Sequence, residues 1–304
     1  PTHIHRGNKK DNFWEMGATG PCGPCSEIHI DRTDDRSGAA LVNAGDARVI
    51  EIWNLVFMQY DRDADGTLAS LPATHVDTGM GLERVCAVLQ HKRSDYATDL
   101  FAGLIEQIET LTDHRYGAAA GLADRFDVGT EDDMGDVACR VIADHARALT
   151  FAIADGIQPG NEGRGYVLRR ILRRAARYGR EDLGIEGPFL ANLVPAVVAK
   201  MRDAFGGLAE RESYVVETIR EEEESFARTL DRGISFFGAV ALMVANAARG
   251  ELGIPFRDPE ELEIYRRAGK NVVPGEAAFK LSATYGFPVD LTQLMAREQG
   301  MSVD

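Results

Sequence analysis

The stretch Val76-Asp77-Thr78-Gly79-Met80-Gly81-Leu82-Glu83-Arg84 constrains this chain more than any other. A β-type run, Thr74 to Thr78, leads into Gly-x-Gly, and a helical pattern opens at Leu82. Strand, glycine turn and helix start are a common seat for an anionic or nucleotide ligand. Glycines admit close backbone approach, and a helix N-terminus favours negative charge. Many Gly-x-Gly turns merely connect elements, so the flanking charges carry the argument. Asp77 stands at the strand end, and Arg84 lies one helical turn beyond Gly81. A carboxylate and a guanidinium beside one hollow suit an ammonium group at one end and a phosphate at the other.

The surroundings read as strands first and helices afterwards. Residues 1–30 are rich in Gly, Pro and His and read as loop with short strands, Ile28 to Ile30 being one. Pro21 and Pro24 stiffen the loop that carries Cys22 and Cys25. Arg48 to Tyr60 is apolar on both faces and is expected at the centre of its sheet. Asp61 to Gly66 is turn-like, with a hairpin return towards His75. Helices are expected over Leu82–His91, Ala97–Leu111, Val137–Ala154, Tyr166–Tyr178, Ala191–Phe205, Glu210–Leu230 and Glu276–Tyr285. Thr112 to Gly135 lacks a clear period and holds the expected domain boundary, giving domains 1–112 and 113–304. Arg249 to Val273 reads as a peripheral insertion.

With 304 residues and 44% hydrophobic content the chain can bury substantial cores. No apolar run approaches the roughly 20 residues needed to span a bilayer, and no signal-peptide pattern opens the sequence. It begins at Pro1, which reads as a piece of a longer product. Four cysteines are too few for a disulfide framework, and a reducing cytoplasm is the simplest setting. Cys22-x-x-Cys25 has no second CxxC, so a rigid loop with free thiols is the preferred reading over a zinc site.

A net charge of −14 argues against a generally basic nucleic-acid binder, so any RNA contact needs a local basic face. One is present. At roughly 100° per residue, Val167, Leu168, Ile171, Leu172 and Ala175 share one side of a helix. Arg169, Arg170, Arg173, Arg174 and Arg177 share the other, and no acid occurs between Gly163 and Arg180. Solvated faces usually mix signs, so contact with a phosphate backbone is the better reading.

Gly79-Met80-Gly81-Leu82-Glu83-Arg84 resembles motif 3 of class II aminoacyl-tRNA synthetases, and the nine-residue stretch is similar to its form in alanyl-tRNA synthetases. Further strings agree in order. They are Asp11-Asn12-Phe13-Trp14 leading into Gly20-Pro21-Cys22-Gly23-Pro24-Cys25-Ser26-Glu27, then Glu51-Ile52-Trp53-Asn54-Leu55-Val56-Phe57-Met58-Gln59, then Arg164-Gly165-Tyr166-Val167-Leu168-Arg169-Arg170, and finally Tyr285-Gly286-Phe287-Pro288-Val289-Asp290. The resemblance implies an α+β fold, a partial class II antiparallel sheet with helices, followed by an all-α domain that recognises the acceptor stem of tRNA(Ala). It implies ATP-dependent activation of alanine to alanyl-adenylate and transfer to that tRNA.

By the same resemblance Asn54 holds the substrate, Asp77 its α-ammonium group, Trp14 a pocket wall, and Gly79 a floor that limits the side chain to a methyl. A satisfied structural amide is the plain alternative for Asn54, and a core residue for Trp14. Gly81 and Arg84 fall at the ATP phosphates; apart from the resemblance, Glu51 is a candidate to help hold Mg²⁺, with a solvated carboxylate at a strand start as the plain alternative. Asn161 takes the position that reads the G3·U70 pair in the shallow minor groove of A-form RNA. The family commonly has an Asp where this chain has Ala283, which leaves Asn161 alone or with another group such as Asp290.

The family's motifs 1 and 2 and its zinc-bearing editing domain fall outside the sequence. The chain is therefore read as a fragment without amino-acid activation of its own, its oligomeric state open. Two rivals stand beside that reading: an RNA-binding module without an ATP site, and a helical protein-interaction domain whose arginines meet an acidic partner.

Overall fold

The computed structural model describes residues 3–117, 133–249 and 259–304. Much of the expected boundary segment Thr112–Gly135, and residues 250–258 of the expected insertion, lie outside them. The chain divides into two compact units. One runs to Ala102 and holds the main sheet; the other comprises Gly103–Tyr116 and Asp133–Asp304.

The first unit is a four-stranded antiparallel sheet in the order β1 (Phe13–Glu15), β2 (Gly20–Asp31), β3 (Val49–Arg62), β4 (Leu68–Met80). The two-faced apolar strand is central as expected. Gly66, at φ +87°, closes the β3–β4 hairpin, where Asp63 donates to the Thr67 carbonyl at 3.0 Å. β2 departs from expectation: the Pro- and Gly-rich segment is strand from Gly20, not loop. Between Cys22 and Cys25 the pairing with β3 slips by one residue, a bulge of the kind that accommodates proline in a sheet. A Cβ on Gly23 would stand 2.0 Å from the Phe57 carbonyl oxygen, so glycine lets β3 close on β2 there. Cys22 and Cys25 are buried strand residues.

β4 runs through Gly79 to Met80, and helix α1 (Leu82–Leu89) starts at once. The expected flexible glycine turn is absent, since neither Gly79 nor Gly81 has positive φ. Gly81 instead donates to the Ile52 carbonyl of β3 at 3.1 Å, which ties the helix start to the sheet.

The second unit holds α2 (Ala102–Glu109), α3 (Met134–Ala154), α4 (Gly163–Glu181), α5 (Val194–Met201), α6 (Gly207–Glu210), α7 (Glu212–Arg249), α8 (Pro259–Ala268), β5 (Val272–Val273), α9 (Gly275–Tyr285), α10 (Val289–Glu298) and β6 (Ser302–Val303). β5 and β6 form a short parallel pair. Ile142, Leu149 and Ile153 of α3, Leu172 of α4, and Val215, Ile219 and Phe226 of α7 are buried together with Phe287. The expected insertion is not wholly peripheral, because Tyr265 and Val273 are core residues. Gly286, in the left-handed region, ends α9, and Phe287 N–H returns to the Leu281 carbonyl at 3.0 Å.

α7 is longer than expected. It continues past Leu230 through Gly233 and Gly238 to 38 residues. It is long and apolar enough to cross a membrane. Here its apolar side is core, and its acidic run is used internally: Glu223, 2% exposed, accepts from Phe189 and Leu190 N–H at 2.8 and 2.9 Å. Burial lifts that carboxyl to about 7 against those donors. Gly233 packs flat on the fully buried Phe287 ring, where a Cβ would stand 2.1 Å from it. Helix propensity favours alanine at this site, but overpacking wins: Gly233→Ala is expected to lose about 1–3 kcal/mol. Urea unfolding checks this, and unchanged or increased stability would contradict the close packing.

Candidate active site

Cross-strand register decides which side chains share a face of the sheet. Glu27 opposes Asn54, which opposes Gly79; Cys25 opposes Val56, which opposes Asp77. Glu27, Cys25, Asn54, Gly79 and Asp77 therefore line one face. Glu51 joins them through a bulge. The pairing shifts from Ile28 opposite Trp53 to His29 opposite Glu51, leaving Ile52 unmatched. Strict alternation would put Glu51 and Asn54 on opposite faces; the extra residue brings both opposite β2 residues that share one. Trp53 and Thr78 lie behind, joined by an indole N–H donated to the hydroxyl.

Asn54 is half-buried, and its amide is only partly satisfied. Its Nδ2 lies 3.5 Å from Glu27 Oε1, while its Oδ1 is buried and has no hydrogen-bond partner. Glu27 is held in turn: Asn43 Nδ2 donates to its Oε2 at 3.1 Å, and His29 Nε2 lies 3.0 Å from Asn43 Oδ1. Burial raises the Cys25 thiol's pKa, and the charges of Glu27 and Glu51 add to this. Trp14 lies opposite Gly23 on the edge strand, and the Cys25 thiol donates to the Asp11 carbonyl at 3.9 Å.

Asp77 and Gly79 are exposed. Nothing lies within 4 Å of where a Gly79 Cβ would sit, so neither backbone nor packing demands glycine there. Arg84 is exposed too, and its Nη1 donates to the Glu51 carbonyl at 2.8 Å, which carries the guanidinium to the start of β3. Among the described residues no three His, Cys, Asp or Glu side chains are grouped to hold a metal ion.

The basic helix corrects the sequence reading. Leu168, Leu172 and Ala175 are buried as expected, though Val167 is exposed. The arginines form no open stripe, because carboxylates of other helices face them. Glu222 of α7 takes both Arg169, at 3.0 Å, and Arg173, at 2.6 Å. Asp290 of α10 takes Arg170 and Arg174, at 3.3 and 3.1 Å. Arg177, its side chain 2% exposed, is clamped by Glu298 and Glu181, each at 2.8 Å, and is out of a phosphate's reach. Asp290, expected as a possible reader, is thus a partner of two arginines. Asn161 is exposed in the loop before α4 and accepts from Arg169 through Oδ1.

Sequence reasoning missed Glu27, Asn43 and Glu222. Glu27 ended a string already singled out, and Glu222 sat in the acidic run Glu221–Glu224; in both cases only the fold supplies the partner.

Comparison with known proteins places the chain in a family. Alanine–tRNA ligase of Chlorobium luteolum is 55% identical over the whole chain, which covers 31% of that protein. The mitochondrial enzyme of Saccharomyces cerevisiae is 48% identical over 99% of the chain, and the cytoplasmic enzyme of Drosophila melanogaster 47% over all of it; the chain covers 28% of each. The chain thus spans about a third of the length of the curated relatives it matches. The model of the family described as tRNA synthetases class II (A) matches residues 1–252 and 260–304. The chain belongs to the class II (A) tRNA synthetase family.

Proposed function

We propose that the Asn54–Asp77–Gly79 face binds alanine and that Arg84 binds the phosphates of ATP, as part of an alanine–tRNA ligase. The observation that carries this is the buried, partnerless Oδ1 of Asn54 beside a carboxylate and a glycine that nothing else requires. Asp77 and Asn54 Oδ1 accept from the ammonium group. The space over Gly79 takes the methyl and rejects larger side chains. Glycine and serine are excluded weakly, since small size differences are worth about 1–3 kcal/mol.

In the reaction a carboxylate oxygen of alanine attacks the α-phosphorus of ATP and pyrophosphate leaves, giving alanyl-adenylate. A ribose hydroxyl of the terminal adenosine of tRNA(Ala) then attacks the carbonyl and AMP leaves. The chain's part is positioning and charge neutralisation, so no acid or base need be assigned. Arg84 neutralises phosphate charge, and Gly81 lets the backbone approach. Mg²⁺, when bound, supplies further charge neutralisation at the phosphates. Such an ion keeps several waters, so one carboxylate, that of Glu51, would suffice to hold it. On the helical unit Asn161 reads the G3·U70 pair of the acceptor stem, with the part-exposed Arg170 and Arg174 beside Asp290 as candidate phosphate contacts. All four cysteines are free, which suits the cytoplasm.

In the full-length protein, Asp77→Asn is expected to raise KM for alanine. The loss of one charge-assisted contact, about 1.5–3 kcal/mol, corresponds to about 10- to 150-fold. KM for ATP should stay within about twofold, because an exposed site so altered does not propagate. Alanine-dependent pyrophosphate exchange measures both, and equal rises in the two constants would defeat the assignment.

A further inference from the structure

We propose that Arg169 and Glu222 are positioning residues for Asn161, and that Arg169 is not a phosphate ligand. The proposal rests on the reading that Asn161 contacts a base edge. Arg169 divides its donors between two acceptors. Nη1 donates to Asn161 Oδ1, and Nη2 donates to Glu222 Oε2 at 3.0 Å. Its Nε lies 3.0 Å from Glu222 Oε1. A phosphate reaching Arg169 would have to displace a carboxylate whose side chain is only 10% exposed. That carboxylate also serves Arg173, which lies over the Phe226 ring and donates to the Gly286 carbonyl. Removing Glu222 from Arg169 would therefore also strip Arg173 of its counter-charge.

The consequence for Asn161 is directional. With Oδ1 turned inward onto a guanidinium, the amide presents its two Nδ2 hydrogens outward. It is thus set to donate to acceptor atoms of a base pair. The loop beneath is tight: Gly160 N–H donates to the Gly165 carbonyl at 2.9 Å, and a Cβ on Gly165 would meet the Gln158 carbonyl oxygen at 2.5 Å. A fixed backbone and a fixed amide together make one defined donor pair.

The test is Glu222→Gln and, separately, Arg169→Lys, in the full-length protein. Lysine keeps the charge but cannot bridge Asn161 and Glu222 together. Binding of tRNA(Ala) transcripts with G3·U70 or G3·C70 is measured across a salt series. Both variants should lower the preference for G3·U70 by about 10-fold, as loss of a base contact does, with the salt slope unchanged. Combining either with Asn161→Ala should cost nothing more. If Arg169 were a phosphate ligand, Glu222→Gln would free its charge, raise affinity for both transcripts, steepen the slope and leave the preference intact; that result overturns the proposal. Should Asn161→Ala itself fail to narrow the preference, the base-reading assignment is what fails. Narrowing by Asn161→Ala alone, with both other variants unaffected, overturns the positioning role specifically. Should Glu222→Gln not fold, Arg169→Lys decides by the same criteria.

Discussion

Arg177→Ala is expected to destabilise the helical unit by about 3 kcal/mol, the low end of the range for breaking a buried ion pair from one side, because the arginine is buried while the Glu298 it leaves behind is 26% exposed. The Arg177 side chain is 2% exposed and holds Glu298 through both Nη1 and Nη2 at 2.9 and 2.8 Å. The Tyr178 hydroxyl donates to Glu298 Oε1, the oxygen that also accepts from Arg177 Nη2, at 2.9 Å, and burial beside that carboxylate pushes its phenol up to about 12. Truncating Arg177 leaves Glu298 facing Tyr178 and Glu181 without a cation. Set against a total stability of roughly 5–15 kcal/mol, this is a large share. Two controls give the effect its cause. Arg174→Ala removes a cation from a more exposed pair and should cost at most about 1 kcal/mol. Arg177→Met combined with Glu298→Leu removes both charges and should recover most of the loss. Denaturant unfolding of the three variants decides the matter. Equal costs for Arg177→Ala and Arg174→Ala would mean that burial does not govern this cluster.

Arg84→Gln is expected to lower ATP-dependent alanine activation by about 10²–10³, the cost of deleting one aimed electrostatic donor. Stability should move by no more than about 0.5 kcal/mol, because Arg84 is an exposed side chain away from the core. Lysine should restore only part of the activity, since a single ammonium lacks the fork that grips two phosphate oxygens. The defect should fall on ATP and leave KM for alanine nearly unchanged, the reverse of Asp77→Asn. Pyrophosphate exchange with each substrate varied in turn reads this. A parallel defect in both substrates would remove Arg84 from the phosphate end of the site.

The local patterns that could be read in the sequence were those that tertiary pairing does not override. β3 was legible as central because apolar residues occupy both its faces, and its hairpin because Asp63 and Gly66 supply the turn chemistry. β2 was not, because Gly20, Pro21, Gly23 and Pro24 are local breakers; pairing on both sides and one bulge make a strand of them. α7 was cut short at Leu230 because Gly233 and Gly238 count against a helix locally, although Gly233 is what Phe287 needs. At the site, Asn54, Asp77, Gly79 and Arg84 stood out in strings of residues; that Asn54, Asp77 and Gly79 share one face follows from the register of β3 with β4. The bulge at Ile52 that turns Glu51 to the same face was not legible, since register is a property of two strands. The arginine stripe failed for the same reason. Within α4 no acid interrupts it, but Glu222, Asp290 and Glu298 reach it from α7 and α10, too far along the chain for any local count of charge.

A structure of the full-length protein with a non-hydrolysable alanyl-adenylate analogue tests the central claim most directly. The expected result puts the ammonium nitrogen within hydrogen-bond distance of both the Asp77 carboxylate and Asn54 Oδ1, the methyl over Gly79 and the phosphate towards Arg84. An analogue bound on the other face, against Trp53 and Thr78, or with its ammonium group away from Asp77, would contradict it.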